Sequence, residues 1–350
     1  MFREDFVWGV ASSAYQVEGT DAADGRGACV WDMFAADGRV FEHQNADTSC
    51  DHMHHYKEDI ALMRHLGIRA YRFSLNWARI LPEGTGRVNE KAIAMYRDMI
   101  LTMKENGITP YLTLFHWEFP QALYERGGWQ NPDVVQWFGE YAKVVAENFS
   151  DICEYFITIN EPQCVVGLGH LSGVHAPGVK LPVAQTFLVA HHLLMAHGQA
   201  VINLRRYAVR PVKIGFAPTG GVAYPYTDRP EDIEAAKKVY FGFYNPIDNW
   251  TWNVSWFSDP VFLGHYPEEG LKKFAPYLPK ITQEDMELIY QPLDFMGQNI
   301  YNGYYVRAGA DGEPEFVDRA PGFPKTGSDW PVTPEAFYYG IKFLTERYPL

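Results

Sequence analysis

Tyr155-Phe156-Ile157-Thr158-Ile159-Asn160-Glu161-Pro162 decides how the rest of the chain is read. β-Branched and aromatic residues lead to an amide, a carboxylate and then a proline. A run this short and apolar reads as a buried strand rather than a helix. Proline cannot donate to a sheet ladder, so Pro162 puts Glu161 at the strand's end rather than its middle. An acid at the mouth of a hydrophobic strand resists ionisation, because burial disfavours the charged form. Glu161 is therefore a candidate general acid.

Upstream, the same unit occurs twice more. Gly67-Ile68-Arg69-Ala70-Tyr71-Arg72-Phe73-Ser74-Leu75-Asn76-Trp77 overlays Gly107-Ile108-Thr109-Pro110-Tyr111-Leu112-Thr113-Leu114-Phe115-His116-Trp117 at a constant offset of 40. The first copy follows a helical stretch (57–66) with Ile60, Met63 and Leu66 at helical spacing, and Gly67 suits its left-handed cap. Residues 89–106 carry a helical stripe of Ile93, Tyr96, Ile100 and Met103. The third copy opens at Asn131-Pro132, turns Val135, Phe138 and Val145 inward, and enters the strand at Tyr155. Aligned on the three tyrosines, Asn76, His116 and Asn160 share one position, and Trp77, Trp117 and Glu161 the next. Repeated βα units of this length imply parallel strands joined by crossover helices. Polar residues at the strands' C-terminal ends lie where α/β barrels build their sites. Arg72, among apolar neighbours, is expected to point into the barrel interior.

The remaining chain is less regular. Phe6-Val7-Trp8-Gly9-Val10-Ala11 reads as a first strand, followed by a Gly- and Asp-rich loop reaching about Asp51. A long helix (181–207) precedes a fifth strand (213–218). Residues 231–244 and 282–290 read as helices, and 293–299 as a sixth strand. Trp250, Trp252 and Trp256 line a binding site or pack beneath the barrel. After an irregular loop, Thr333-Pro334-Glu335 reads as an N-cap and N1 proline opening a last helix, with Phe337, Ile341 and Leu344 as its buried stripe. No low-complexity linker divides the chain, so 1–350 reads as one domain.

Composition narrows the function. A net charge of −13 argues against nucleic acid and anionic membranes, both of which need a basic footprint. No apolar run reaches membrane-span length, and Met1-Phe2-Arg3-Glu4-Asp5 does not begin a signal peptide, which points to the cytoplasm. Hydrophobic residues make up 47% and aromatics 15%, which excludes disorder and favours aromatic-lined concavities. Cys29, Cys50, Cys153 and Cys164 form no C-x-x-C pair and read as structural thiols. His52, His54 and His55 lack the H-E-x-x-H arrangement and read as a solvated helix start; His191, His192 and His197 read as packing groups. No metal or cofactor is expected.

With these segments in place, the chain resembles the family 1 glycoside hydrolases, the β-glucosidase family. The motifs are Phe6-Val7-Trp8-Gly9, Tyr15-Gln16-Val17-Glu18-Gly19, Tyr71-Arg72-Phe73-Ser74, Phe115-His116-Trp117, Thr158-Ile159-Asn160-Glu161-Pro162 and Gly297-Gln298-Asn299-Ile300-Tyr301. The resemblance implies an α/β, (β/α)8 TIM barrel and retaining hydrolysis of small β-glycosides, which takes two carboxyl groups ~5–5.5 Å apart. It assigns Glu161 as general acid/base, and Gln16, His116, Trp117, Asn160, Asn299 and Tyr301 as substrate-binding residues. Arg72, with Asn299 and Tyr301 beside it, is implied to support the nucleophile. Departures from the family pattern fall at Asn76, Ala78, Glu118, Phe119, Gln298 and Ile300 and remove no catalytic group. Glutamate rather than glutamine after Asn160 argues against the plant thioglucosidase branch.

The family's nucleophile belongs to an (Ile/Val)-Thr-Glu-Asn-Gly motif on a seventh strand, and no Thr-Glu-Asn-Gly occurs in these 350 residues. About six of the eight βα units are expected here, ending at the helix before strand seven, with a C-terminal fragment or second chain completing the barrel. The competing readings are an inactive sugar-binding or partner-dependent barrel piece, and another glycosidase of the clan such as a xylanase.

Overall fold

A computed structural model describes residues 2–20 and 24–348. Met1, positions 21–23 of the Gly- and Asp-rich loop, Pro349 and Leu350 lie outside the described residues. Six parallel strands form the main sheet: β1 (Gly9–Ala11), β2 (Ala70–Ser74), β3 (Thr109–Phe115), β4 (Tyr155–Asn160), β5 (Lys213–Ala217) and, after an excursion, β7 (Phe295–Met296). β6 (Val222–Pro225) is part of that excursion. Spatial order follows chain order, and helices cross between consecutive strands, as the repeat predicts. Helix Glu90–Glu105 is capped by the Asn89 side chain, helix Val134–Phe149 buries Val135, Phe138 and Val145, and helix Val183–Tyr207 packs against it.

The sheet is strongly curved. The Arg72 guanidinium on β2 reaches Asn299 beyond β7, with β3, β4 and β5 between them. The Tyr111 ring on β3 stacks on Tyr155 of β4 and meets Phe295 of β7 edge-on. Contacts between strands that are not neighbours require the sheet to close on its inner face, as the strands of a (β/α)8 barrel do.

Four expectations need correction. First, equal spacing in the repeat is not equal register. Arg72, not Tyr71, lies opposite Tyr111, so the two tyrosines face opposite sides of the pleat. Tyr71 points outward to the Ser12 hydroxyl and the His52 ring, and Trp77 is fully buried behind the sheet, stacked on Tyr141. Asn76 caps the short helix Trp77–Ile80 and takes no place at the mouth.

Second, the stretch after 299 is not irregular. β8 (Gly303–Ala308) pairs parallel with β6 and antiparallel with β9 (Pro314–Val317), making a three-stranded sheet. This sheet has its own core of Val222, Tyr224, Val306, Phe343 and Leu344, under helix Pro230–Phe241. Third, the last helix (Pro334–Arg347) buries Ala336, Gly340, Phe343 and Leu344, while Phe337 and Ile341 are exposed. The helix lies close on β6: a Cβ on Gly340 would come within 3.0 Å of Val222. Close approach selects small residues, so the contact face is not the most apolar one. Thr333 precedes this helix, but its hydroxyl accepts from the Gly303 amide instead of capping.

Fourth, His52 is buried against Asp59 rather than solvated. His191 and His197 do pack, on Tyr266 and Thr158 respectively. Among the described residues no helix is long and apolar enough to cross a membrane.

Candidate active site

The C-terminal ends of β2, β3, β4 and β7 converge on one polar network. Arg72 is held at its root by Thr113, which accepts from Nε at 3.0 Å. Its Nη2 donates to Asn160 Oδ1 at 2.6 Å and its Nη1 to Asn299 Oδ1 at 3.3 Å. A guanidinium can only donate, so these bonds fix both amides with their oxygens toward Arg72. Asn299 Nδ2 then has two acceptors, Asn160 Oδ1 at 2.9 Å and Glu161 Oε1 at 2.6 Å. Asn160 Nδ2 faces His116 Nε2 at 3.3 Å, which makes that nitrogen the acceptor and puts the imidazole hydrogen on Nδ1. Burial, and then the charge of Arg72, push His116 down to about 3, so the ring is neutral at ordinary pH.

Glu161 is buried, and its backbone is left-handed (φ 47°). Its amide still reaches across to the Ala217 carbonyl of β5 at 2.7 Å, while Pro162 starts helix Pro162–Val166. The chain thus turns within one residue of the strand and aims the carboxyl inward. Trp117 is also left-handed (φ 86°), and its indole donates to the Asn160 carbonyl at 3.1 Å. Non-glycine residues in this region cost on the order of 1–3 kcal/mol each and concentrate at functional sites. Tyr301 is 59% exposed overall, yet its hydroxyl turns in to donate to Glu161 Oε1 at 3.2 Å. Desolvation of that hydroxyl, with Glu161 beside it, pushes the phenol up to about 12.

Gln16, Trp117, Glu161 and Tyr301 share a cavity of about 730 Å³ with Asn245, Asn249, Trp252, Asn302 and Trp330. His116 and Gln16 meet again in an adjoining recess with Trp31. Ser13 donates to Gln16 Oε1 at 2.8 Å, and the Gln16 amide hydrogens have no partner among the described residues. The structure therefore brings together all eight residues singled out by sequence: Gln16, Arg72, His116, Trp117, Asn160, Glu161, Asn299 and Tyr301. Among the described residues lining the cavity, Glu161 is the single carboxyl group. The three tryptophans divide: Trp252 lines the cavity, whereas Trp250 and Trp256 are core.

Sequence reasoning missed three groups. Cys164 Sγ lies 3.3 Å from Glu161 Oε2; its i+3 spacing from Glu161 on a helix start was the available signal. Glu118 accepts from the Tyr15 amide at 2.8 Å, has no partner for Oε2 among the described residues, and is pushed up to about 8 by burial. Thr113, the anchor of Arg72, gave no signal beyond alternation along β3.

Comparison with known proteins shows the family. The family model described as glycosyl hydrolase family 1 matches residues 1–350. A 1,4-beta-D-glucan glucohydrolase of Thermotoga neapolitana is 41% identical over 99% of this chain and 79% of its own length. Beta-glucosidase A of Thermotoga maritima is 41% identical over 99% of this chain and 76% of its own. The solved structure of a family 1 β-glucosidase from Thermotoga maritima in complex with isofagomine lactam superposes with a TM-score of 0.86, covering 99% of this chain and 76% of that one. The chain belongs to glycosyl hydrolase family 1.

Proposed function

We propose that Glu161 is the general acid/base of a β-glucosidase-like glycoside hydrolase, with Gln16, His116, Trp117, Asn160, Asn299 and Tyr301 holding the sugar. The chain is a glycosidase acting on O-glycosyl bonds, and small β-glucosides are the substrates its relatives' names support. One observation carries the role of Glu161: it is the lone carboxyl among the described residues lining an aromatic- and amide-walled cavity, aimed inward by its own backbone. Trp117 offers an aromatic face to sugar C–H groups, and the amides of Gln16, Asn160 and Asn299 suit hydroxyls. Arg72 supplies a fixed positive charge of the kind that supports a carboxylate nucleophile; no second carboxyl stands among the described residues lining the cavity, so azide takes that role in the test. The xylanase and inactive-piece readings find no support among these relatives.

The test compares two leaving groups, with sodium azide as external nucleophile. Azide attacks C1 opposite the leaving oxygen, the C1–O pair departs with the aglycone, and α-glucosyl azide and a phenol result. Phenol itself needs protonation as it leaves, whereas dinitrophenolate does not. Glu161→Ala should slow release from phenyl β-glucoside about 10²–10⁴-fold and leave dinitrophenyl β-glucoside nearly unchanged. Equal sensitivity of both substrates, or azide-dependent release from neither, contradicts the reading.

A further inference from the structure

The two oxygens of Glu161 have unlike surroundings. Oε1 accepts from Asn299 Nδ2 at 2.6 Å and from the Tyr301 hydroxyl at 3.2 Å. The Asn299 donor cannot reverse, because Arg72 fixes the orientation of that amide, whereas the Tyr301 hydroxyl can donate or accept. The short, fixed bond from Asn299 stabilises negative charge on Oε1 and makes it the less basic of the two oxygens. Oε2 has one partner among the described residues, Cys164 Sγ at 3.3 Å. Cys164 is 7% exposed and lines the same cavity.

We propose that the transferable proton of Glu161 resides on Oε2, and that the Cys164 thiol is the positioning residue that orients this oxygen toward the bound glycoside. The inference rests on the reading of Glu161 as the proton donor. A thiol is a weak acceptor and a weak donor, so it suits both states of the acid. While Oε2 carries the proton, sulfur is its neighbour and does not capture it. As the glycosidic C–O bond breaks, the proton passes from Oε2 to the leaving oxygen, which receives the bond's electron pair. Oε2 is then ionised, and the S–H turns to donate to it. The thiol keeps its own proton throughout, because burial and then the charge of Glu161 push it well above the usual thiol range. The titratable and charged groups around Glu161 are Arg72 from β2, His116 from the end of β3, Cys164, Tyr301 and, across the cavity, His175. Among the described residues Cys164 is the hydrogen-bond partner of Oε2, so the effect of changing it is separable from the rest.

The test is a carboxyl titration of the whole chain labelled with ¹³C at glutamate side chains, with Glu161 assigned by Glu161→Gln. Cys164→Val removes the donor to ionised Oε2 and should raise the Glu161 midpoint by ~0.5–1 pH unit. Cys164→Ser supplies a stronger donor and should place the midpoint at or below that of the unchanged protein. Thermal melts of both variants check that the fold persists; Cys164→Ala replaces the valine variant, and Cys164→Thr the serine variant, where one does not fold. A midpoint unmoved by Cys164→Val, or moved equally upward by valine and serine, overturns the proposal. The leaving-group comparison at Glu161 fails independently: its loss removes the acid role, whereas the titration reports only which oxygen the thiol serves.

Discussion

Asn299 Nδ2 lies 2.6 Å from Oε1 of Glu161, although 138 residues of chain separate them. They are brought together because the sheet curves: β5 stands between their strands, yet both side chains turn into the same interior. The bond also transmits the orientation of Arg72, which holds the other end of the Asn299 amide. Asn299→Ala should slow azide-dependent release from phenyl β-glucoside by about 10–100-fold, or roughly 1.4–2.7 kcal/mol. An unchanged melting temperature beside that loss would show that the effect is positional.

Buried neutral histidines set the acid limit of stability. His197 is pushed down to about 3 and His170 to about 4, both by burial. The unfolded chain takes up these protons near pH 6.5 and the folded chain does not, so stability falls as pH drops below about 6.5. The slope reaches about 1.4 kcal/mol per pH unit for each histidine. Urea denaturation of His197→Gln between pH 4 and 7 should show a shallower decline than the unchanged protein.

Glu118 acts with the opposite sign. Its folded value of about 8 lies above the ordinary carboxyl value of 4.5. Stability associated with it is full below about pH 4.5 and is lost as pH rises through 8. Glu118→Gln keeps an acceptor for the Tyr15 amide and removes the titration. The variant should therefore gain on the unchanged protein between pH 5 and 8 by up to about 1.4 kcal/mol per unit. Denaturation series at both ends of that range provide the comparison.

Asp259 anchors the last helix. It is fully buried, and it accepts from Arg347 Nε at 3.0 Å and from the Tyr348 hydroxyl at 2.6 Å. Arg347 is only half-buried and its charge stays partly solvated, so Asp259→Ala should cost about 1–3 kcal/mol, mainly from the lost bonds to Arg347 and the buried Tyr348 hydroxyl. Asp259, Arg347 and Tyr348 are not among the residues lining the cavity of Glu161. The loss should appear in the urea midpoint, with the Glu161 titration unmoved in protein that remains folded.

Much of this site is legible in the chain itself. A strand of Tyr155, Phe156 and Ile157 closed by Pro162 has no alternative end for Glu161, and Arg72 among apolar neighbours has nowhere to point but inward. Register was less accessible. Tyr71 and Tyr111 match in sequence, but a one-residue offset between β2 and β3 turns them to opposite faces, since side-chain direction alternates with every residue. β6 is hard to see in the sequence because Gly220, Gly221 and Pro225 bracket only three residues, the spelling of a loop. The last helix misled for a related reason. Counting large apolar residues selects Phe337 and Ile341, whereas tight packing against β6 selects Ala336 and Gly340.

The separate three-stranded sheet gives the cavity two sides with different freedoms. Glu161, Asn160 and Arg72 form a floor tied into the parallel strands, where any shift would break several bonds at once. Tyr304, Asn302 and Gly221 belong to a wall that rests on β6, β8 and an independent core. Substitutions in the wall can reshape that side of the cavity while the bonds of the floor stay intact. On the proposed reading of Glu161, chemistry and selectivity are carried by parts of the molecule that can evolve at different rates.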